Sequence, residues 1–128
     1  MRTVICLTAA LAACAGSSAA TAKPAAKPAA FQINSTSWAY VEKGEKLRMS
    51  VDADGNYIEN TAAGKHKDHG TVVMKADKVC FTSAMTNDGE VCWTTKPVNV
   101  GQSMQTTSDK GQKLKVTRVK YTPLSMPK

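Results

Sequence analysis

Glycine-centred turn signals recur at short intervals from residue 43 onward, and they limit the fold more than any other feature of the sequence. Lys43-Gly44, Asp54-Gly55, Ala63-Gly64, Asn87-Asp88-Gly89 and Asp109-Lys110-Gly111 punctuate the chain. Between them lie short runs rich in β-branched and aromatic residues. Helical periodicity is not visible in any window long enough to count. The spacing predicts strands near 36–42, 45–52, 55–60, 70–75, 78–85, 90–95, 102–107 and 113–121. The fold class that follows is all-β: a small antiparallel meander of about eight short strands, forming a barrel or a sandwich.

The chain has 128 residues, enough for one domain. Residues 1–30 show no pattern that suits a fold, which leaves 31–128 as the β domain. Only 5% of residues are aromatic. Trp38, Tyr40, Tyr57, Phe81, Trp93 and Tyr121 are therefore expected to anchor the core. Met49, Met74, Met85, Met104 and Met126 are too scattered for a metal-trafficking cluster and are expected to fill core space.

The first residues read as an export signal. Met1-Arg2 is a short positive start, and Thr3–Ala13 is a run of 11 mostly apolar or small residues. That run is too short to span a bilayer, which needs ~20 apolar residues. It closes on Leu11-Ala12-Ala13-Cys14. This tetrapeptide resembles the bacterial lipobox. The resemblance implies a signal peptide over 1–13, cleavage before Cys14, a lipidated Cys14 and a palmitate-bearing membrane anchor. Alanine at position 15 resembles sorting to the outer membrane, with the domain facing the periplasm. The alternative is an ordinary signal peptide cut near Ser18-Ala19-Ala20, which leaves a soluble periplasmic or secreted protein. Residues 14–30 contain the repeated Ala22-Lys23-Pro24-Ala25 and Ala26-Lys27-Pro28-Ala29 and read as a disordered Ala/Pro/Lys linker.

This leader simplifies the cysteine count. Cys6 lies in the removed peptide, and Cys14 is lipidated or removed. Cys80 and Cys92 remain in an oxidising compartment, so they are expected to form a disulfide. They lie off the apolar stripe of Val79, Phe81, Val91 and Trp93. A tight Asp88-Gly89 turn would place Cys92 opposite Ala84, so the pairing requires a wider loop or a bulge. In the last strand, apolar residues move from even positions (Leu114, Val116) to odd ones (Val119, Tyr121). That switch predicts a bulge or bend near Thr117.

Sites for chemistry are few. The domain keeps 14 Lys+Arg against 10 Asp+Glu, a mild net +4. It lacks the dense basic stripe with stacking aromatics of a nucleic-acid binder. Gly101-Gln102-Ser103-Met104-Gln105 lacks the second glycine of a nucleophile elbow, and phosphate-binding glycine patterns are absent. His66-Lys67-Asp68-His69 offers metal-ligand types, but its lysines repel a cation and it reads as a solvated loop leading into a strand at Gly70. Asp52-Ala53-Asp54-Gly55-Asn56 has its glycine two places too early for a calcium loop and reads as a hairpin turn. The expectation is a protein that is not an enzyme and uses no cofactor or metal.

The stretch Asp52–Trp93, with Asp54-Gly55-Asn56-Tyr57, Asp68-His69-Gly70-Thr71 and Cys80…Gly89-Glu90-Val91-Cys92-Trp93, resembles small uncharacterised lipoproteins of proteobacteria. The layout is also distantly similar to the periplasmic lysozyme-inhibitor lipoproteins, in architecture only. Three roles follow. The first is a monomeric, non-catalytic envelope module that binds an envelope protein or a cell-wall polymer through Lys113, Lys115, Arg118 and Lys120. A basic strand of this kind also serves as a charged sheet edge that blocks aggregation. The second is a small barrel with an open interior that holds an apolar ligand. The third is a hydrolase or metal-binding protein using His66 and His69.

Overall fold

A computed structural model describes residues 31–127. The expected signal peptide over 1–13, the lipidated Cys14 and the linker to residue 30 lie outside the described residues. Eight antiparallel strands are present: β1 Thr36–Glu42, β2 Glu45–Val51, β3 Asn56–Thr61, β4 His66–Lys75, β5 Lys78–Ser83, β6 Glu90–Thr94, β7 Ser103–Thr107 and β8 Lys113–Val119. Their order in the sheet is β6-β5-β4-β3-β2-β1-β8-β7. The meander runs from β1 to β6, and β8 and β7 add to the free side of β1. The sheet curls until β6 meets β7, which gives a nearly closed barrel without a helix among the described residues.

The seam between β6 and β7 is thin. The Asp109 N–H donates to the Cys92 carbonyl at 2.9 Å. Thr106 Oγ1 donates to the Thr94 carbonyl at 2.6 Å, and the Thr107 N–H donates to Thr94 Oγ1 at 3.0 Å. Threonine side chains thus replace part of a backbone ladder here. Closing the sheet in this way covers most of the strand edges that would otherwise invite pairing with another chain.

Alternation sorts the side chains. Trp38 and Tyr40 on β1 register with Met49 and Leu47 on β2, and Tyr57 on β3 registers with Val51. Val72 on β4 registers with Phe81, and Val79 registers with Trp93 on β6. Met104 registers with Val116. These residues point inward. Trp38 is 1% exposed and Val51 is fully buried. The Trp38 indole N–H donates to Thr36 Oγ1 at 2.8 Å, so its polar atom is satisfied inside the core. Ile33, from the segment before β1, is buried against the same cluster.

Two glycines are required by local geometry. Lys43 and Gly44 both have positive φ (49° and 79°), as the two-residue turn of a tight hairpin demands. Gly70 allows a close approach of β4 to β5: a Cβ there would lie 2.0 Å from the Thr82 carbonyl oxygen. The C-terminal tail then crosses the outside of β1 and β2. The Thr122 N–H donates to Ser37 Oγ and the Leu124 N–H donates to Ser50 Oγ, both at 2.9 Å.

Several sequence expectations need correction. β8 pairs with β1 and β7 in unbroken register, without a bulge at Thr117. Arg118 keeps the inward phase of Leu114 and Val116, and its Nη1 donates to the Val98 carbonyl at 2.9 Å. The inward position at the end of a barrel is wet enough for a guanidinium, so the apolar residues did not have to stay in phase. β8 lies between β1 and β7 and is not a sheet edge. Strand β4 begins at His66 rather than at Gly70, because a register shift at Glu59/Asn60 absorbs the extra residue of the His66–His69 stretch. Tyr121, Met85 and Met126 are exposed rather than core residues.

Candidate ligand-binding cavity

The inward residues do not fill the barrel. A cavity of about 310 Å³ lies within it, at the small end of the range for ligand sites. Every strand contributes to its lining, β4 only through Asp68, and the apolar part includes Trp38, Met49, Val79, Phe81, Trp93, Met104 and Val116. The Tyr57 and Phe81 rings meet edge to face, with centroids 5.2 Å apart. The cavity reaches the β5–β6 loop, where Thr86, Asp88 and Gly89 line it. Thr86 and Asp88 are exposed, so the interior communicates with solvent at that end.

A polar belt crosses the lining above the apolar part. Glu59 on β3 and Asp68 on β4 are register partners and share the inner face. Tyr40 Oη donates to Glu59 Oε2. Tyr57 Oη donates to Asp68 Oδ2 at 2.7 Å, and Ser83 Oγ donates to Asp68 Oδ1 at 2.6 Å. The His69 N–H adds a third bond to Asp68 at 2.9 Å. Burial pushes the Glu59 carboxyl above its ordinary range, and the Tyr40 hydrogen bond only partly opposes this. Burial, reinforced by the Glu59 charge, holds the Tyr40 hydroxyl well above its usual range. Tyr57 is raised by burial first and by its bond to Asp68 second. Both tyrosines are therefore neutral donors near pH 7. Glu42 and Asp88 add two further carboxylates to the lining.

The residues singled out in the sequence fall elsewhere. Cys80 and Cys92 are register partners with Cα atoms 4.0 Å apart and form the expected disulfide. The pairing is possible because β5 ends at Ser83 and β6 starts at Glu90, so the connection is a wide loop and not a tight Asp88-Gly89 turn. Glu90 lies near this pair, but both sulfurs are consumed in the bond and Glu90 is paired with Lys75 at 2.6 Å. Cys14 lies outside the described residues.

His66 and His69 are half-buried strand residues, not a solvated loop. They lie on the opposite face of β4 from Asp68. The His66 Nδ1–H donates to Asn60 Oδ1 at 2.9 Å, and His66 Nε2 lies 3.0 Å from His69 Nδ1. The two rings meet each other and an amide, with no carboxylate between them. The Asp52 turn uses both its carboxylate oxygens internally, accepting from the N–H groups of Asp54 and Asn56 and from Asn56 Nδ2.

The basic strand is divided. Lys113 and Lys115 are exposed on the outer face of β8, Lys120 lies beyond its end, and Arg118 faces inward. Across β1, Lys46 and Arg48 share the outer face with Lys115, around Ala39 and Val41. Sequence reasoning missed Glu59 altogether and weighed Asp68 only as a metal-ligand type beside His66 and His69, not as a cavity residue. Their signal was phase: Glu59 alternates in step with Tyr57, and Asp68 in step with Val72.

Comparison with protein-family models, with curated proteins and with solved structures gave no match.

Proposed function

We propose that the chain is an exported envelope lipoprotein anchored through Cys14, and that its barrel is a non-catalytic module that takes an apolar ligand into its interior. The observation that carries this reading is the cavity itself. A barrel that binds only through its surface needs a filled core, whereas this one leaves about 310 Å³ open among aromatic and aliphatic side chains. Interiors of small barrels otherwise close to near-crystalline density. The lining supports binding rather than covalent chemistry. Ser83 is engaged with Asp68, and the histidines face the other side of β4.

Octanol suits the test, since a ligand of roughly ten non-hydrogen atoms fills this space at ~30 Å³ for each water-sized unit. Trp38 and Trp93 line the cavity and report on it. Octanol should saturate a change in tryptophan emission with a single-site isotherm; a linear, non-saturating response would argue against an interior site. The anchor has its own test. Wild-type protein should incorporate labelled palmitate and sediment with membranes, and Cys14→Ser should do neither. A wild type that is already soluble would contradict the anchor.

A further inference from the structure

The cavity lining is sorted by charge, and the inward-facing Arg118 is not part of it. Glu42, Glu59, Asp68 and Asp88 line the cavity, and among the described residues lining it there is no lysine, arginine or histidine. This is the reverse of the chain as a whole, which carries 17 Lys+Arg against 10 Asp+Glu. The two deeper carboxylates, Glu59 and Asp68, contact hydroxyl groups and one backbone N–H. Among the described residues the ion pairs are Lys67–Glu45 and Lys75–Glu90, and neither involves these two. A carboxylate drawn out of water without a cation beside it is costly, and the cost is recovered when a cation arrives.

Aromatic faces add to this. The chain has two Trp, three Tyr and two Phe. Five of these rings, Trp38, Tyr40, Tyr57, Phe81 and Trp93, line the same cavity. Ring faces attract ammonium groups, most strongly where water is excluded. Carboxylates and aromatic rings around one apolar space form the chemistry that recognises an amine with a hydrocarbon body.

Resting on the ligand-binding reading above, we propose that the cavity selects a small apolar amine in its ammonium form, with its charged head at Glu59 and Asp68 and its hydrocarbon part among the aromatic side chains. The test compares three probes with one tail and different heads: octylamine, octanol and octanoate. Each is titrated into the full chain at pH 7 and followed by tryptophan emission. Octylamine should bind about tenfold or more tighter than octanol, consistent with a cation–aromatic and carboxylate contact in a partly dry site. Octanoate should bind weakest. Raising the salt concentration should weaken octylamine and leave octanol nearly unchanged, since only the charged head is screened.

In Glu59→Gln and Asp68→Asn, the octylamine-to-octanol affinity ratio should fall toward one. If octanol binds and octylamine binds no tighter, the charge selection is overturned while the apolar-ligand reading stands. If none of the three binds, both are overturned. If either variant fails to fold, the wild-type ratio and its salt dependence decide the matter alone.

Discussion

Trp38→Ala is expected to cost about 3–5 kcal/mol of folding free energy, the range for truncating a large buried aromatic. The indole is 1% exposed, belongs to the main core cluster and spends its N–H on Thr36. It also forms part of the cavity lining, so its removal enlarges a space that is already open. Collapse around the new void is limited because β1 is held on both sides, by β2 and by β8. A domain of this size has roughly 5–15 kcal/mol of stability in all. At ~4–8 °C per kcal/mol, the expected loss in Tm is at least about 12 °C and reaches complete unfolding at the upper end. Urea denaturation followed by circular dichroism measures it. A loss under about 1 kcal/mol would mean that Trp38 is not the packing centre of the barrel.

The second large effect belongs to the disulfide. Replacing Cys80 and Cys92 together by serine should lower stability by ~3 kcal/mol, because the bond closes a loop with a sequence separation of 12. The consequence is local as well as global. β6 is held on one side by β5 and on the other only by the thin β6–β7 seam. With the disulfide reduced, amide exchange should quicken first along Glu90–Thr94, ahead of β1 and β2, which are paired on both sides. Uniform protection loss across all strands would contradict this placement of the weak point. Because β6 supplies Val91 and Trp93 to the lining, reduction should also loosen the cavity wall.

Much of the fold was legible in the sequence, for identifiable reasons. Most strand boundaries follow from turns whose residues need unusual backbone angles, such as Lys43-Gly44, and these are readable without tertiary information. The start of β4 was not. His66, Lys67, Asp68, His69 and Gly70 are poor strand formers by composition, and only the register shift against β3 brings them into the sheet. The phase of β8 was misread because an inward position was assumed to be apolar; at the barrel end it holds Arg118. The disulfide was legible by elimination, although its register depended on the length of the β5–β6 loop.

The candidate site was far less visible. Hydrophobic alternation predicts a face but not whether that face fills the space it encloses. A filled and a hollow small barrel differ in strand curvature and in side-chain volumes summed over all strands, which no local pattern encodes. Carboxylates are seldom inward, so Glu59 drew no notice and Asp68 was weighed only within the His66–His69 stretch and set aside with it as a solvated loop. Their positions in phase with Tyr57 and Val72 were the available sign. The basic residues of β8 drew attention first because a bulge near Thr117 was expected to bring them onto one face, yet the register is unbroken and the structure divides them between two faces.

The account rests on the ligand entering the barrel. The most direct measurement is the NMR spectrum of the labelled protein during titration with octanol, read by residue. Shifts should concentrate on inward positions such as Val79, Phe81, Trp93, Met104 and Val116, with saturation at one equivalent of site. The outward Val41 and Val73, which are exposed, should stay fixed. Perturbation centred on those outer residues, with the inner set unmoved, would contradict an interior binding site.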